Sequence, residues 1–162
     1  MRSYHYRWLG FALLIVLLDQ ISKGLAESWL LQGRPYPIMP SFNLTLLYNT
    51  GAAFSLLSEA GGWQRWFFVT VTVIVCVFLW SLLKRLKPDE PGSLLSALGM
   101  MLIMGGALGN LIDRLFRGAV VDFLDVYYQS YHWPTFNIAD IGITIGALLI
   151  ISVALSDKAQ HR

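Results

Sequence analysis

Four apolar stretches separated by polar segments dominate the pattern along the chain. They cover about 6–26, 63–83, 93–115 and 137–156. Each reaches roughly the 20 residues that an α-helix needs to cross the hydrocarbon core of a bilayer. The pattern predicts an all-α polytopic membrane protein with four transmembrane helices in a single membrane domain, 1–162.

The first long loop, 27–62, carries signals of other structure. Its early prolines, at positions 35, 37 and 40, prevent a continuous helix there. The stretch Ser41 to Tyr48 mixes β-branched, aromatic and polar residues, which predicts one or two short strands, and Asn49-Thr50-Gly51 predicts a turn. Ala52 to Leu57 is apolar but too short to span, so we expect an interfacial helix or a strand against the membrane surface. The second long loop, 116–136, shows no such pattern and is predicted as a polar, aromatic loop.

The first apolar stretch has a second interpretation as a secretory signal peptide. Arg2 and Arg7 precede a short apolar core, and Gly24-Leu25-Ala26 forms a weak cleavage site. Asp19 and Lys23 favour a retained helix instead, because signal cores are rarely followed by a spaced ion pair.

Composition supports the membrane class and excludes several functions. The chain is 56% hydrophobic and 14% charged, against about a quarter charged in soluble domains. A net charge of +2 gives no reason to expect nucleic-acid binding. Cys76 is the lone cysteine, which excludes an intrachain disulfide, and His132 has no second histidine or cysteine at ligand spacing. We therefore expect neither a metal nor a cofactor.

Lysines and arginines predict the orientation. The termini and the short loop 84–92 share one side, with Arg2, Arg7, Lys84, Arg85, Lys87, Lys158 and Arg162. The opposite loops carry Arg34, Arg65 and Arg117. By the positive-inside rule, the termini are cytoplasmic and the two long loops face outward.

Polar residues from distant stretches fall at one depth. Counting about 1.5 Å of helical rise per residue places them in the outer half of the membrane. They are Asp19, Asn110, Asp113, Arg114, Asp122, Asn137 and Asp140. Ionisable residues inside membrane segments are costly and indicate a functional site.

Two helical pairs in this set have open roles. Asp19 and Lys23 are spaced i,i+4 with the acid first, the favoured order for an ion pair, and Lys23 can also extend to the interface. For this pair a structural or headgroup role is favoured over chemistry. Asn110 and Arg114 share a helix face. Two roles are open for Arg114: an interfacial residue that binds phosphate, or a site residue that binds a carboxylate or a substrate carbonyl.

Asp140 also has two interpretations. Asn137 and Asp140 fit a helix N-terminus with a capping box. This capping interpretation explains neither the presence of Asp122 nor the common depth of the polar residues in the membrane. The sequence has no Gly-x-Ser-x-Gly and no P-loop, so the chemistry that remains is a carboxylate pair. Two close aspartates share a proton: one takes a proton from water while the other polarises a carbonyl.

At these residues the chain resembles lipoprotein signal peptidase, also called signal peptidase II. Five blocks carry the resemblance in order. They are Asp19-Gln20-Ile21-Ser22-Lys23, Tyr48-Asn49-Thr50-Gly51-Ala52-Ala53-Phe54, Gly105-Gly106-Ala107-Leu108-Gly109-Asn110-Leu111-Ile112-Asp113-Arg114, Val120-Val121-Asp122-Phe123 and Phe136-Asn137-Ile138-Ala139-Asp140.

The resemblance implies an aspartic endopeptidase of the bacterial inner membrane. It would cleave diacylglyceryl-modified prolipoproteins just before the lipidated cysteine, with its active site facing the exterior. The family's catalytic aspartates fall on Asp122 and Asp140. Its supporting and substrate-binding residues fall on Asp19, Lys23, Asn49, Gly51, Asn110, Arg114 and Asn137. The family fold adds a small outward-facing β-cradle and an interfacial helix from the first long loop. Expected partners are the prolipoprotein, membrane lipid and the family's peptide antibiotic inhibitors, and we expect a monomer.

Three other classes of membrane protein fit the sequence less well. A small transporter or proton channel would distribute polar residues through the full depth, but the second segment and the cytoplasmic halves of the third and fourth lack charge. A presenilin-like protease would carry Gly-x-Gly-Asp, which is absent. A purely structural membrane subunit remains the plain alternative.

Overall fold

Four long helices form the body of the protein. The computed structural model describes the backbone of residues 2–51 and 62–160, and side chains between residues 6 and 156 of those ranges. The helices are α1 (Arg2–Trp29), α2 (Trp63–Leu83), α3 (Ser93–Phe116) and α4 (Ile138–Gln160). Within the described residues, four helical segments are long and apolar enough to cross a membrane: Tyr6–Trp29, Trp63–Leu83, Ser93–Phe116 and Ile138–Ser156. The predicted fold class is confirmed.

A small antiparallel sheet joins the two long loops. In the part of the chain described, its strands are β1 (Tyr36–Met39), β2 (Phe42–Asn49), β3 (Val120–Tyr128) and β4 (Tyr131–His132), in the order β1-β2-β3-β4. The prediction of strand over Ser41 to Tyr48 corresponds to β2. β1 lies in the proline-bearing segment, and β3 and β4 occupy the stretch predicted as loop, so the sequence missed these strands. The predicted interfacial element, Ala52 to Leu57, lies outside the described residues.

Helix α3 is the centre of the bundle and contacts the other three helices. Glycines allow this close approach, because a Cβ at Gly105 would lie 2.7 Å from the carbonyl oxygen of Ala12 in α1. A Cβ at Gly106 would collide with the carbonyl oxygen of Ala139 in α4. These glycines therefore allow close helix packing on two faces of α3.

The apolar core lies among α1, α2 and α3, away from the sheet. It contains Trp8, Ala12, Leu79, Leu83, Ala97, Met100, Met101 and Met104. The opposite end of the bundle, where α3 ends and α4 begins, carries the polar residues. Helix α1 extends three residues beyond the predicted end at residue 26, to Trp29, and is an integral part of this bundle.

Candidate active site

Asn137 joins the two aspartates that the sequence singled out. Its side-chain Nδ2 donates to Asp122 Oδ1 at 2.7 Å, while its Oδ1 accepts from the backbone N–H of Asp140 at 3.0 Å. Asp122 lies in β3 and Asp140 in the first turn of α4. Asn137 is completely buried. One rigid side chain thus sets the relative position of two carboxylates that are distant in sequence.

The capping interpretation of Asp140 is also correct. The backbone N–H of Asn137 donates to Asp140 Oδ2 at 3.3 Å, which completes a reciprocal capping box with the bond to Asn137 Oδ1. The other oxygen, Oδ1, accepts from Asn110 Nδ2 at 2.9 Å. The start of α4 therefore orients Asp140, and capping and a role in the site are compatible.

Neutral amides, rather than cations, hold both carboxylates. Asn49 Nδ2 donates to Asp122 Oδ2 at 3.1 Å. Among the described residues, neither aspartate forms an ion pair with a lysine or arginine. Burial and the negative charge of Asp140 raise the pKa of Asp122 to about 7, although hydrogen bonds from Asn49 and Asn137 lower it. A carboxyl with this pKa retains a proton close to neutral pH.

A buried ion cluster supports the aspartates from the bundle side. Lys23 Nζ lies 2.8 Å from Asp19 Oδ2 and 2.7 Å from Asp113 Oδ2, and it donates to Asn110 Oδ1 at 2.9 Å. The side chains of Lys23, Asp19 and Asp113 have no exposed surface. The predicted i,i+4 ion pair is confirmed. The alternative that Lys23 extends to the interface is wrong, because two carboxylates hold its ammonium inside.

The cluster also binds backbone next to each catalytic candidate. Asp19 Oδ1 accepts from the N–H of Ala139 at 2.9 Å, one residue before Asp140. Asp113 Oδ2 accepts from the N–H of Val121 at 3.1 Å, one residue before Asp122. From sequence, Asp113 shares the depth of the site but has no assigned partner. Its only sequence signal is its charge within an apolar helix.

Arg114 and Gly51 also belong to the site. The guanidinium makes long contacts of 3.4 Å to the carbonyl oxygen of Asn110 and 3.5 Å to that of Gly51. Its Cζ lies 4.9 Å from the ring centroid of Phe68. Arg114 has no carboxylate partner among the described residues, so its hydrogen-bonding capacity is largely uncommitted. Gly51 N–H donates to Asn49 Oδ1 at 3.0 Å, which closes the predicted turn.

A pocket of about 1180 Å³ opens on this site. Its lining includes the predicted site residues Asp122, Asp140, Asn49, Gly51, Asn110 and Arg114. On one side it extends along α4 past Ile141 and Ile145, and on the other it reaches the sheet at Thr45, Asp125 and His132. No local sequence pattern predicts a role for the residues on the sheet side of the pocket. Their association depends on strand pairing, for which one chain alone carries no local signal.

Similarity to known proteins identifies the family of this chain. The family model described as "Signal peptidase (SPase) II" matches residues 11–156. The chain belongs to the signal peptidase II family. It is 48% identical over 154 residues to the lipoprotein signal peptidase of Cupriavidus necator, covering 95% of this chain and 86% of that one. It is 51% identical over 144 residues to that of Ralstonia nicotianae, covering 89% and 81%.

Solved structures extend the signal peptidase II relationship to the fold. One bacterial membrane enzyme, solved by the in meso method at 2.3 Å resolution, superposes with a TM-score of 0.83 at 33% identity, over 96% of this chain and 92% of that one. A second, at 1.9 Å resolution, gives a TM-score of 0.78 at 34% identity, over 93% and 94%. The chain is thus a multi-pass membrane protein of a peptidase family.

Proposed function

We propose that this signal peptidase II removes the signal peptide from diacylglyceryl-modified prolipoproteins. It cleaves before the lipidated cysteine with a water molecule that Asp122 and Asp140 activate. The observation that carries this proposal is the coupling of both carboxylates to Asn137 in one pocket: its Nδ2 donates to Asp122 Oδ1 at 2.7 Å, and its backbone N–H donates to Asp140 Oδ2 at 3.3 Å. The names of its relatives supply the substrate class.

The carboxylate environment suits general acid–base hydrolysis. The pKa of Asp122 is raised to about 7, and among the described residues neither acid pairs with a lysine or arginine, so the pair retains a proton close to neutral pH. The ionised carboxylate takes a proton from water as that water attacks the scissile carbonyl. The protonated carboxyl donates to the carbonyl oxygen, where negative charge develops. The carboxyl that took the proton from water then gives it to the departing cysteine nitrogen, the carbon–nitrogen bond breaks, and a hydroxyl of the tetrahedral intermediate returns a proton to the other carboxylate as the signal peptide is released.

The pocket matches a substrate that is apolar on one side and polar on the other. Ile141 and Ile145 continue it along the membrane-spanning part of α4, where a signal helix and acyl chains are soluble. The sheet end lies outside the four spanning segments. We place the sheet on the outer face of the inner membrane and both termini in the cytoplasm. A cytoplasm-dependent reporter should then be active at Pro88 and inactive at Gly61, and the reverse result would invert the orientation.

The substrate itself provides the test. Purified protein is incubated with a diacylglyceryl-modified prolipoprotein and with the same chain lacking the lipid. Cleavage of the modified form alone, with the cysteine at the new N-terminus, is the expected result. Equal cleavage of both forms, or of neither, would contradict the proposal.

A further inference from the structure

An aspartate–histidine pair forms the sheet side of the pocket, apart from the catalytic candidates. Asp125 Oδ1 lies 2.7 Å from His132 Nδ1. Asp125 Oδ2 accepts from Thr45 Oγ1 at 2.8 Å and from Asn43 Nδ2 at 3.3 Å. Asp125 is buried, whereas 49% of the His132 side chain is exposed. The buried groups therefore orient an imidazole whose ring reaches the pocket.

The protonation pattern of the pair follows from its hydrogen bonds. Burial would raise the pKa of the Asp125 carboxyl, but hydrogen bonds from His132, Thr45 and Asn43 outweigh burial and hold that pKa below its ordinary value. Asp125 is then ionised at neutral pH and can only accept hydrogen bonds. His132 Nδ1 therefore carries the proton of this hydrogen bond, and in the neutral form of an imidazole the other nitrogen, here Nε2, is an acceptor. Within the described residues, Nε2 has no hydrogen-bond partner.

The ring is further fixed by stacking. Tyr127 lies parallel to it, with ring centroids 5.1 Å apart and 20° between the planes. β4 is two residues long, and backbone pairing places His132 opposite Tyr127. The imidazole of His132, in this short edge strand, is therefore held by the buried Asp125 carboxylate and by the ring of Tyr127. Strand pairing alone does not require these contacts to the His132 ring. A side chain held in one orientation by its neighbours is typical of a binding group.

Asp122 and Asp125 line the same pocket, and the strand pairing around them is irregular. In a regular strand, residues three apart point to opposite faces. Here the N–H groups of Phe123 and Leu124 both donate to the carbonyl oxygen of Phe136, at 3.0 and 2.9 Å, as in a bulge. At about 3.3 Å per residue, Asp125 lies about 10 Å along the strand from Asp122. An extended peptide covers that distance in about three residues.

From this geometry we infer that His132 is a subsite for the main chain of the first residues after the cleaved bond. This inference rests on the proposed function. The apolar arm of the pocket suits the signal helix and the acyl chains, which leaves the polar arm for the mature chain. His132 Nε2 would accept a main-chain N–H about three residues beyond the scissile bond.

Two lipidated substrates with the same signal peptide test the subsite. One ends at the modified cysteine as an amide, and the other continues for about five residues beyond it, enough to pass His132. Wild-type enzyme should have a KM about three- to tenfold lower for the longer substrate, the effect of one neutral hydrogen bond. His132→Ala should abolish that difference and leave kcat/KM for the short substrate unchanged. His132→Asn keeps an N–H for Asp125 but lacks the reach of the ring, so it should lose the same preference.

Tyr131→Ala is the matched control, since Tyr131 belongs to the same strand, is exposed and does not line the pocket. It should retain the preference for the longer substrate. Thermal unfolding of each variant separates folding from binding, and His132→Asn decides the test if His132→Ala does not fold. Equal losses on both substrates, no loss on either, or a wild-type enzyme indifferent to length would overturn the subsite. Cleavage of the short lipidated substrate would still uphold the proposed function.

Discussion

Replacement of Lys23 by methionine tests how the buried ion cluster stabilises the site. Methionine preserves most of the volume but removes the ammonium that lies between Asp19 and Asp113, at 2.8 and 2.7 Å. Among the described residues Asp19 then has no cation, whereas Asp113 keeps its ion pair with Arg117 at 2.8 Å, and breaking a buried pair costs about 3–5 kcal/mol. For a protein of this size each kcal/mol shifts Tm by about 2–4 °C, so we expect a decrease of about 6–20 °C. Thermal unfolding in one detergent, followed by tryptophan fluorescence, measures it.

The matched control is Lys87→Met, which removes an ion pair of nearly the same length. Lys87 Nζ lies 2.9 Å from Glu90 Oε1, but both side chains are largely exposed. Solvent screens such a pair, so Tm should not change measurably. Turnover should fall only in Lys23→Met, because Lys23 also holds Asn110 Oδ1 and thereby the donor to Asp140. Equal Tm values for the two variants would refute the stabilising role of the cluster.

Two further predictions concern helix packing and pH. Gly106→Ala should lower stability by about 1–3 kcal/mol and reduce cleavage, because its Cβ collides with the backbone of α4 beside the site, whereas Gly10→Ala has free space and should be tolerated. Melting curves and turnover of the two variants check this. Cleavage should decline as pH rises through about 7, where Asp122 loses its proton. Asn49→Ala removes a hydrogen bond that lowers the pKa of Asp122. In this variant the decline in cleavage should therefore move to higher pH in a pH–rate profile. An unchanged profile would count against Asp122 as the titrating group.

The helices could be predicted from sequence because each depends on a local property. About twenty consecutive apolar residues suffice to specify a spanning helix. The sheet is different, because β1 contains Pro37 and is tolerated as a strand only at the edge of the sheet. β3 pairs with β2 across more than seventy residues of chain, a partnership that no local pattern shows.

The site residues that could be predicted from sequence are charged residues within otherwise apolar segments. Asp140 and Lys23 stand out as charges within apolar segments, and the structure brings both to one network. Asp125 and His132 lie in a loop-like stretch where polar residues are ordinary. Their role emerges only when strand pairing places Thr45 and Asn43 beside Asp125.

The most direct test of the aspartate pair is turnover by Asp122→Asn and Asp140→Asn, with thermal stability measured in the same detergent. Asparagine still accepts the hydrogen bonds of the capping box, so an effect on folding alone would be about 1 kcal/mol or less. Each single variant should fold, bind the lipidated substrate and lose nearly all cleavage. The double variant should be scarcely worse, because residues that act as a unit are not additive. Folded Asp140→Asn protein with near-normal turnover would contradict the two-aspartate mechanism.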